Sequence, residues 1–224
     1  MLDIGIVWIR EDFRIENNPA LSYAAENHKY VIALYIYNKT DYDNTREAQK
    51  WWLSKSLEIF KKDLALYNIN LQILVGNEID IFSKIKKKDN ISIYWNKIYE
   101  PDVIAKGKKI RDIFQKNQIN FKYFKGNILN EFQDVTKNDG TPFKVFTPFW
   151  RNAEQKYINS PPGKNYKVKK KSSSKVFFKN SVDSRSILPK KNWYKKFEKY
   201  WNVSENDSKK ILKNLLEKKI KDYG

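Results

Sequence analysis

The sequence predicts an α/β fold: a doubly wound, five-stranded parallel sheet in the order 3-2-1-4-5, followed by a connector and the first helices of an all-α unit. Three observations carry this. Five short apolar runs are rich in β-branched and aromatic residues, as suits strands buried on both faces. Amphipathic helical stretches lie between them, giving a βαβ alternation. Beyond about residue 163 the composition turns lysine-rich and the alternation stops.

The runs are residues 4–9, 31–37, 71–75, 91–95 and 121–125. Between the second and third, Leu53, Leu57, Phe60, Leu64 and Tyr67 recur in steps of four and three, the stripe of a helix facing a core. After the fourth, Pro101 suits a first helical turn, and Val103, Ile110, Ile113 and Phe114 mark the inner face. Right-handed crossovers then give the order 3-2-1-4-5 over residues 1–130. In such a sheet the ligand crevice lies beyond the carboxyl ends of the strands, where the order reverses. Here that is between the loops 10–14 and 96–102. With seven glycines, no G-x-G-x-x-G and no G-x-x-x-x-G-K-[ST], the chain holds neither a dinucleotide nor a nucleoside triphosphate in a glycine-rich cradle.

Residues 131–192 read as an interdomain connector. Within it, 164–175 (KNYKVKKKSSSK) has little to bury and is expected to be exposed and mobile. Order returns in 193–224. Trp193, Phe197 and Trp201 are spaced four apart, and Ser204 with Asp207 forms a capping box ahead of Ile211, Leu212, Leu215, Leu216 and Ile220. These apolar faces have no evident partner in the preceding unit, so the chain is expected to stop short of the helices that cover them.

Composition narrows the chemistry. There is no cysteine and one histidine, His28, which excludes disulfides, thiolate nucleophiles, Cys/His zinc sites and a histidine-based catalytic cluster; no metal site is expected. The longest apolar run is far below the roughly 20 residues of a membrane span, and the amino terminus lacks signal-peptide features, so a cytoplasmic protein with no membrane partner is expected. The net charge is +18, and residues 152–224 carry +13 of it, with 20 Lys and Arg against 7 Asp and Glu. Such a tail can follow phosphates without sequence preference, or form a solvated surface.

Several blocks carry a resemblance. Trp8-Ile9-Arg10-Glu11-Asp12-Phe13-Arg14, followed by Asn18-Pro19-Ala20-Leu21, resembles the W-x-R-x-D-L-R-x-x-D-N-P-A-L opening of the DNA photolyase/cryptochrome family. Arg46 with Leu53 and Leu57 is similar to its R-x-x-F-L-x-x-S-L segment. Tyr99-Glu100-Pro101 is similar to its loop after strand four. The block from Gly140 through Pro142, Phe143 and Lys144 to Trp150 resembles G-x-P-Y-K-V-F-T-P-F-W. The series Trp193, Trp201, Glu205, Leu212, Leu216 and Tyr223 resembles the start of the flavin domain.

The resemblance implies the N-terminal antenna domain of a light-driven, FAD-dependent deoxyribodipyrimidine photo-lyase, or of a cryptochrome-type blue-light receptor. A stand-alone α/β nucleic-acid-binding module is the reading that needs no family. The implied cofactors are FAD in the helical part and a folate or deazaflavin antenna pigment in the α/β part. UV-damaged DNA is the implied partner of the full-length monomer. The segment holding most of the FAD site is expected to be missing from this chain, and no catalytic residue is expected in it. By position, Tyr223 matches the start of that FAD site. Arg10, Asp12 and Arg14 lie where antenna pigments dock, and Tyr37, ending strand two, is a candidate for stacking on a pigment ring. Asp102 stands where folate-binding members carry asparagine, while Val103 replaces the glutamate beside it. Trp51 and Trp52 are expected to be packing residues.

Overall fold

The computed structural model describes residues 3–42, 47–86, 90–159 and 165–220, without the side chains of 41–42 and 157–159. The strands are β1 (Asp3–Ile9), β2 (Tyr30–Tyr37), β3 (Asn70–Val75), β4 (Asn90–Asn96) and β5 (Asn120–Phe124). They form one sheet ordered β3-β2-β1-β4-β5 with every pair parallel, as the sequence predicts.

Both faces are covered. Toward one side, Val7, Ile9, Ala33, Tyr35 and Ile73 meet helices α1 (Pro19–Asn27) and α3 (Glu47–Ala65) through Leu21, Ala24, Leu57, Phe60 and Leu64. On the other, Ile6, Trp8, Leu34 and Trp95 meet α4 (Glu78–Ser83) and α5 (Pro101–Lys116) through Phe82, Ile110 and Phe114. A short helix, α2 (Lys39–Tyr42), follows β2. The helical stripes seen in the sequence between β2 and β3 and after β4 thus face the sheet, because burying them is the main favourable term available to helices of this length.

Helix α1 shows how local chemistry sets a boundary. Asn18 is extended, its side-chain oxygen accepts the Leu21 N–H at 3.1 Å, and Pro19 occupies the first turn. The Asn-Pro pair therefore starts the helix at a defined residue. Near its far end, His28 is buried between Asp3 and Tyr94, 2.5 Å and 2.7 Å from its two ring nitrogens. A Cβ on Gly5 would come within 2.8 Å of that ring, so the sheet needs glycine there.

The connector differs from expectation. After α6 (Phe146–Asn159), residues 165–182 lie along the α/β unit as a strap. Main-chain groups make the contacts: Tyr166 O accepts from Asn17 N, Lys167 O from Ser22 Oγ, Lys171 N donates to Tyr67 O, and Val182 N to Ile73 O. Gln72, buried in β3, accepts both Phe177 N and Phe178 N at 2.9 and 3.0 Å and donates to Phe178 O at 2.9 Å. Composition reports the exposed lysine side chains, whereas the docking uses the backbone, which composition does not report. The strap also occupies the β3 edge of the sheet, a place where unpaired strand groups otherwise invite pairing with other chains.

A second correction concerns 193–201. Trp193 and Phe197 lie in a 3-10 helix (Asn192–Lys199) and do find a partner: Phe197 packs edge-on against Trp51 at 5.4 Å and Trp201 against Trp52 at 5.8 Å. Trp51 and Trp52 are packing residues, as expected. Ser204 caps α7 (Glu205–Asn214), accepting from Asp207 N and donating to its carboxylate, the predicted capping box. A π-turn, Leu215–Lys219, continues the helix. Ile211, Leu212 and Leu216 remain more than half exposed.

Candidate ligand crevice at the sheet switch point

The chain leaves β1 at Ile9 and β4 at Asn96 at the same end of the sheet, and the two loops meet there. Asn96 joins them. Its amide nitrogen donates to Asp12 Oδ2 at 2.6 Å and to Asn18 Oδ1 at 2.8 Å, and its side-chain oxygen accepts Ala20 N at 3.1 Å. Asp12 also accepts the Arg10 N–H at 3.2 Å, folding the loop back on itself. The Arg10 guanidinium donates to the Asn96 carbonyl and lies 4.7 Å over the Trp8 ring. Burial lowers its pKa to about 10; Asp12, Glu11 and Glu78 oppose that shift, and Arg10 stays a cation at neutral pH.

Beside this network is a cavity of about 150 Å³ walled by Trp8, Arg10, Tyr35, Glu78, Val103 and Lys106, among others. Lys106 pairs with one Glu78 oxygen at 2.9 Å. The other, Oε2, is buried with no hydrogen-bond partner among the described residues, a costly state that a donor on a ligand edge would relieve. A flat ring with donor groups fits this set: an aromatic wall, a fixed cation and a carboxylate. Gly126, on the loop after β5, presses close by; a Cβ there would lie 1.9 Å from the Lys97 carbonyl oxygen.

Of the residues singled out from the sequence, Arg10 lines the cavity and Asp12 builds its support. Arg14 sits further along the loop, reaching the Asn17 carbonyl at 3.4 Å and lining a neighbouring groove. Tyr37 is buried in the core at the end of β2, whereas Tyr35, two residues earlier on the same face, reaches the cavity. Asp102 lies exposed in the first turn of α5, at the correct end of the sheet but outside the cavity wall. Tyr223 lies outside the described residues. Sequence reasoning did not single out Asn96, Glu78 or Lys106. A polar residue ending the apolar β4 run was the available sign for Asn96. Glu78 and Lys106 come from different helices and carry none.

The DNA photolyase family model matches residues 5–167, most of the chain. The chain belongs to the DNA photolyase family. A deoxyribodipyrimidine photo-lyase of Agrobacterium fabrum is 28% identical over 224 residues, covering 97% of this chain and 46% of the relative. Cryptochrome-1 of Arabidopsis thaliana is 28% identical over 152 residues, covering 65% of this chain and 22% of the relative. The crystal structure of a class III photolyase from Agrobacterium tumefaciens superposes with a TM-score of 0.80 at 26% identity, over 96% of this chain and 45% of that one. The chain thus spans about 46% of the photo-lyase relative's length. Its fold is that of the photolyase N-terminal α/β domain, and the photolyase family implies a flavin and an antenna chromophore.

Proposed function

We propose that this chain forms the light-harvesting, N-terminal portion of a FAD-dependent deoxyribodipyrimidine photo-lyase, and that the crevice between β1 and β4 holds its antenna pigment. The observation that carries the pigment site is the pairing of a fixed Arg10 on Trp8 with an unpartnered, buried oxygen of Glu78 in one cavity. A folate or deazaflavin ring would enter the cavity beside the Arg10–Trp8 pair, offering N–H groups to Glu78 and accepting from Arg10 or Lys106. Such a pigment absorbs near-ultraviolet to blue light and passes the excitation on. The residues of this chain bind it, orient it and keep water from its inner edge. Arg14 and Asp102 are assigned to the crevice mouth, and Tyr37 to supporting its wall from within the core.

The single residue of this chain assigned to the FAD site is Tyr223. UV-damaged DNA is the proposed substrate of the whole protein, with the +13 charge of residues 152–224 adding non-specific phosphate attraction. A photoreceptor role is the second reading, favoured by the similarity to Cryptochrome-1. The test is illumination of the whole protein, loaded with FAD, on an oligonucleotide carrying a thymine dimer. Light-dependent reversal supports the photo-lyase reading; a light-induced flavin change without reversal favours the receptor.

A further inference from the structure

The loop 10–16 that presents Arg10 is held from two sides. On the crevice side Asn96 and Asn18 grip Asp12. On the opposite side the grip comes from almost the far end of the chain. Glu205, the first residue of α7, accepts the Ile15 N–H at 2.8 Å through Oε2 and the Glu16 N–H at 3.3 Å through Oε1. Lys209, one turn on, bridges Glu205 at 3.1 Å and Glu16 at 2.7 Å.

This carboxylate is not needed to start its own helix, because Ser204 and Asp207 already form the cap. Nor is its placement free of cost. Asp63, on α3, faces it, and burial together with the Glu205 charge pushes the Asp63 pKa up. A charged group that leaves its own cap to others, tolerates a like charge and accepts two main-chain donors 189 and 190 residues away is placed for what it holds.

We propose that Glu205 is a positioning residue that fixes the 10–16 loop in its ligand-ready form, so that seating of α7 and occupancy of the crevice reinforce one another. The ligand half of this inference rests on the pigment reading above; the loop contact does not. Linkage requires the effect to be reciprocal: whatever α7 adds to pigment affinity, the pigment adds to the seating of α7.

The experiment uses the whole chain as wild type, Glu205→Gln and Glu205→Ala, with far-UV circular dichroism to confirm folding. Hydrogen exchange is read at the Ile15 and Glu16 amides, and a folate and a deazaflavin are titrated by fluorescence. In Glu205→Ala both amides should lose about tenfold or more of their protection, and pigment should bind about tenfold more weakly. Glu205→Gln, which keeps an acceptor oxygen, should fall between. Saturating pigment should slow exchange in α7 of the wild type and leave α7 of Glu205→Ala unchanged. Unaltered protection at Ile15 and Glu16 in Glu205→Ala overturns the proposal. So does lost protection with undiminished pigment affinity. A wild type that binds neither pigment overturns the coupling together with the crevice reading, and the exchange data then report separately on whether Glu205 holds the loop.

Discussion

Asn96 Nδ2 lies 2.6 Å from Asp12 Oδ2, so the end of β4 and the loop after β1 are tied by one short hydrogen bond across the point where strand order reverses. Asn96 itself is 5% exposed, and its side chain serves three partners at once. Replacing it removes groups that no water can reach and replace.

Asn96→Ala is therefore expected to lower folding stability by about 3 kcal/mol, a typical sum for one or two buried polar groups left unpaired. Asn96→Asp is expected to cost more, because it converts the donor facing Asp12 into a second carboxylate. Urea unfolding measures both. Equal stability of the aspartate variant and the wild type would show that the two loops are not joined in this way.

The strap is the second test. Gln72 holds residues 177 and 178 with three hydrogen bonds, and the adjoining segment offers many lysines to trypsin. Gln72→Ala should release the strap and speed cleavage between residues 165 and 180 about tenfold, with little change elsewhere. Cleavage of the wild type at the rate of an unfolded peptide would mean that the strap is a loose connector.

At the opposite end of the sheet, Tyr94 Oη meets His28 Nε2 at 2.7 Å while Asp3 takes the other ring nitrogen. Burial alone would raise the Asp3 pKa, but the His28 and Lys29 hydrogen bonds and the His28 charge hold it below the usual carboxylate value. Tyr94→Phe leaves a buried ring nitrogen without a partner and is expected to cost about 1–3 kcal/mol. Thermal unfolding at neutral pH measures it, and an unchanged midpoint would refute the assignment.

Asp63 gives a pH dependence of opposite sign from that of Asp3. Its folded pKa is raised, first by burial and then by Glu205, so the folded chain holds a proton that the unfolded chain releases over the interval between the two values. Stability contributed by this residue therefore falls as pH rises through that interval. Asp63→Asn should unfold at a higher temperature than the wild type at pH 7, with the gap closing in acid below the ordinary carboxylate value. A gap that widens toward acid would show that Asp63 is stabilised as the anion.

The sheet was legible because β1 to β4 are largely buried and declare themselves as apolar runs, β5 being the half-exposed exception, and because crossover handedness leaves few orders for five strands. The loop carrying Arg10 and Asp12 was legible from topology alone. Tyr37 illustrates the limit: period-2 alternation puts Tyr35 and Tyr37 on one face, yet Tyr35 borders the cavity and Tyr37 does not, a difference that alternation does not encode. Glu78 and Lys106, 28 residues apart on two different helices, form a pairing that no local spacing encodes. The strap and the Trp51–Phe197 contact were missed for a related reason, since main-chain docking and long-range aromatic packing leave no periodic mark.

The most direct test of the account is a fluorescence titration of the purified chain with a folate and with a deazaflavin, repeated on Arg10→Ala and Glu78→Ala. The account predicts saturable, one-to-one binding of one of these pigments by the wild type, weakened about tenfold or more by either substitution. Absence of binding by both pigments, or binding that neither substitution alters, would contradict it.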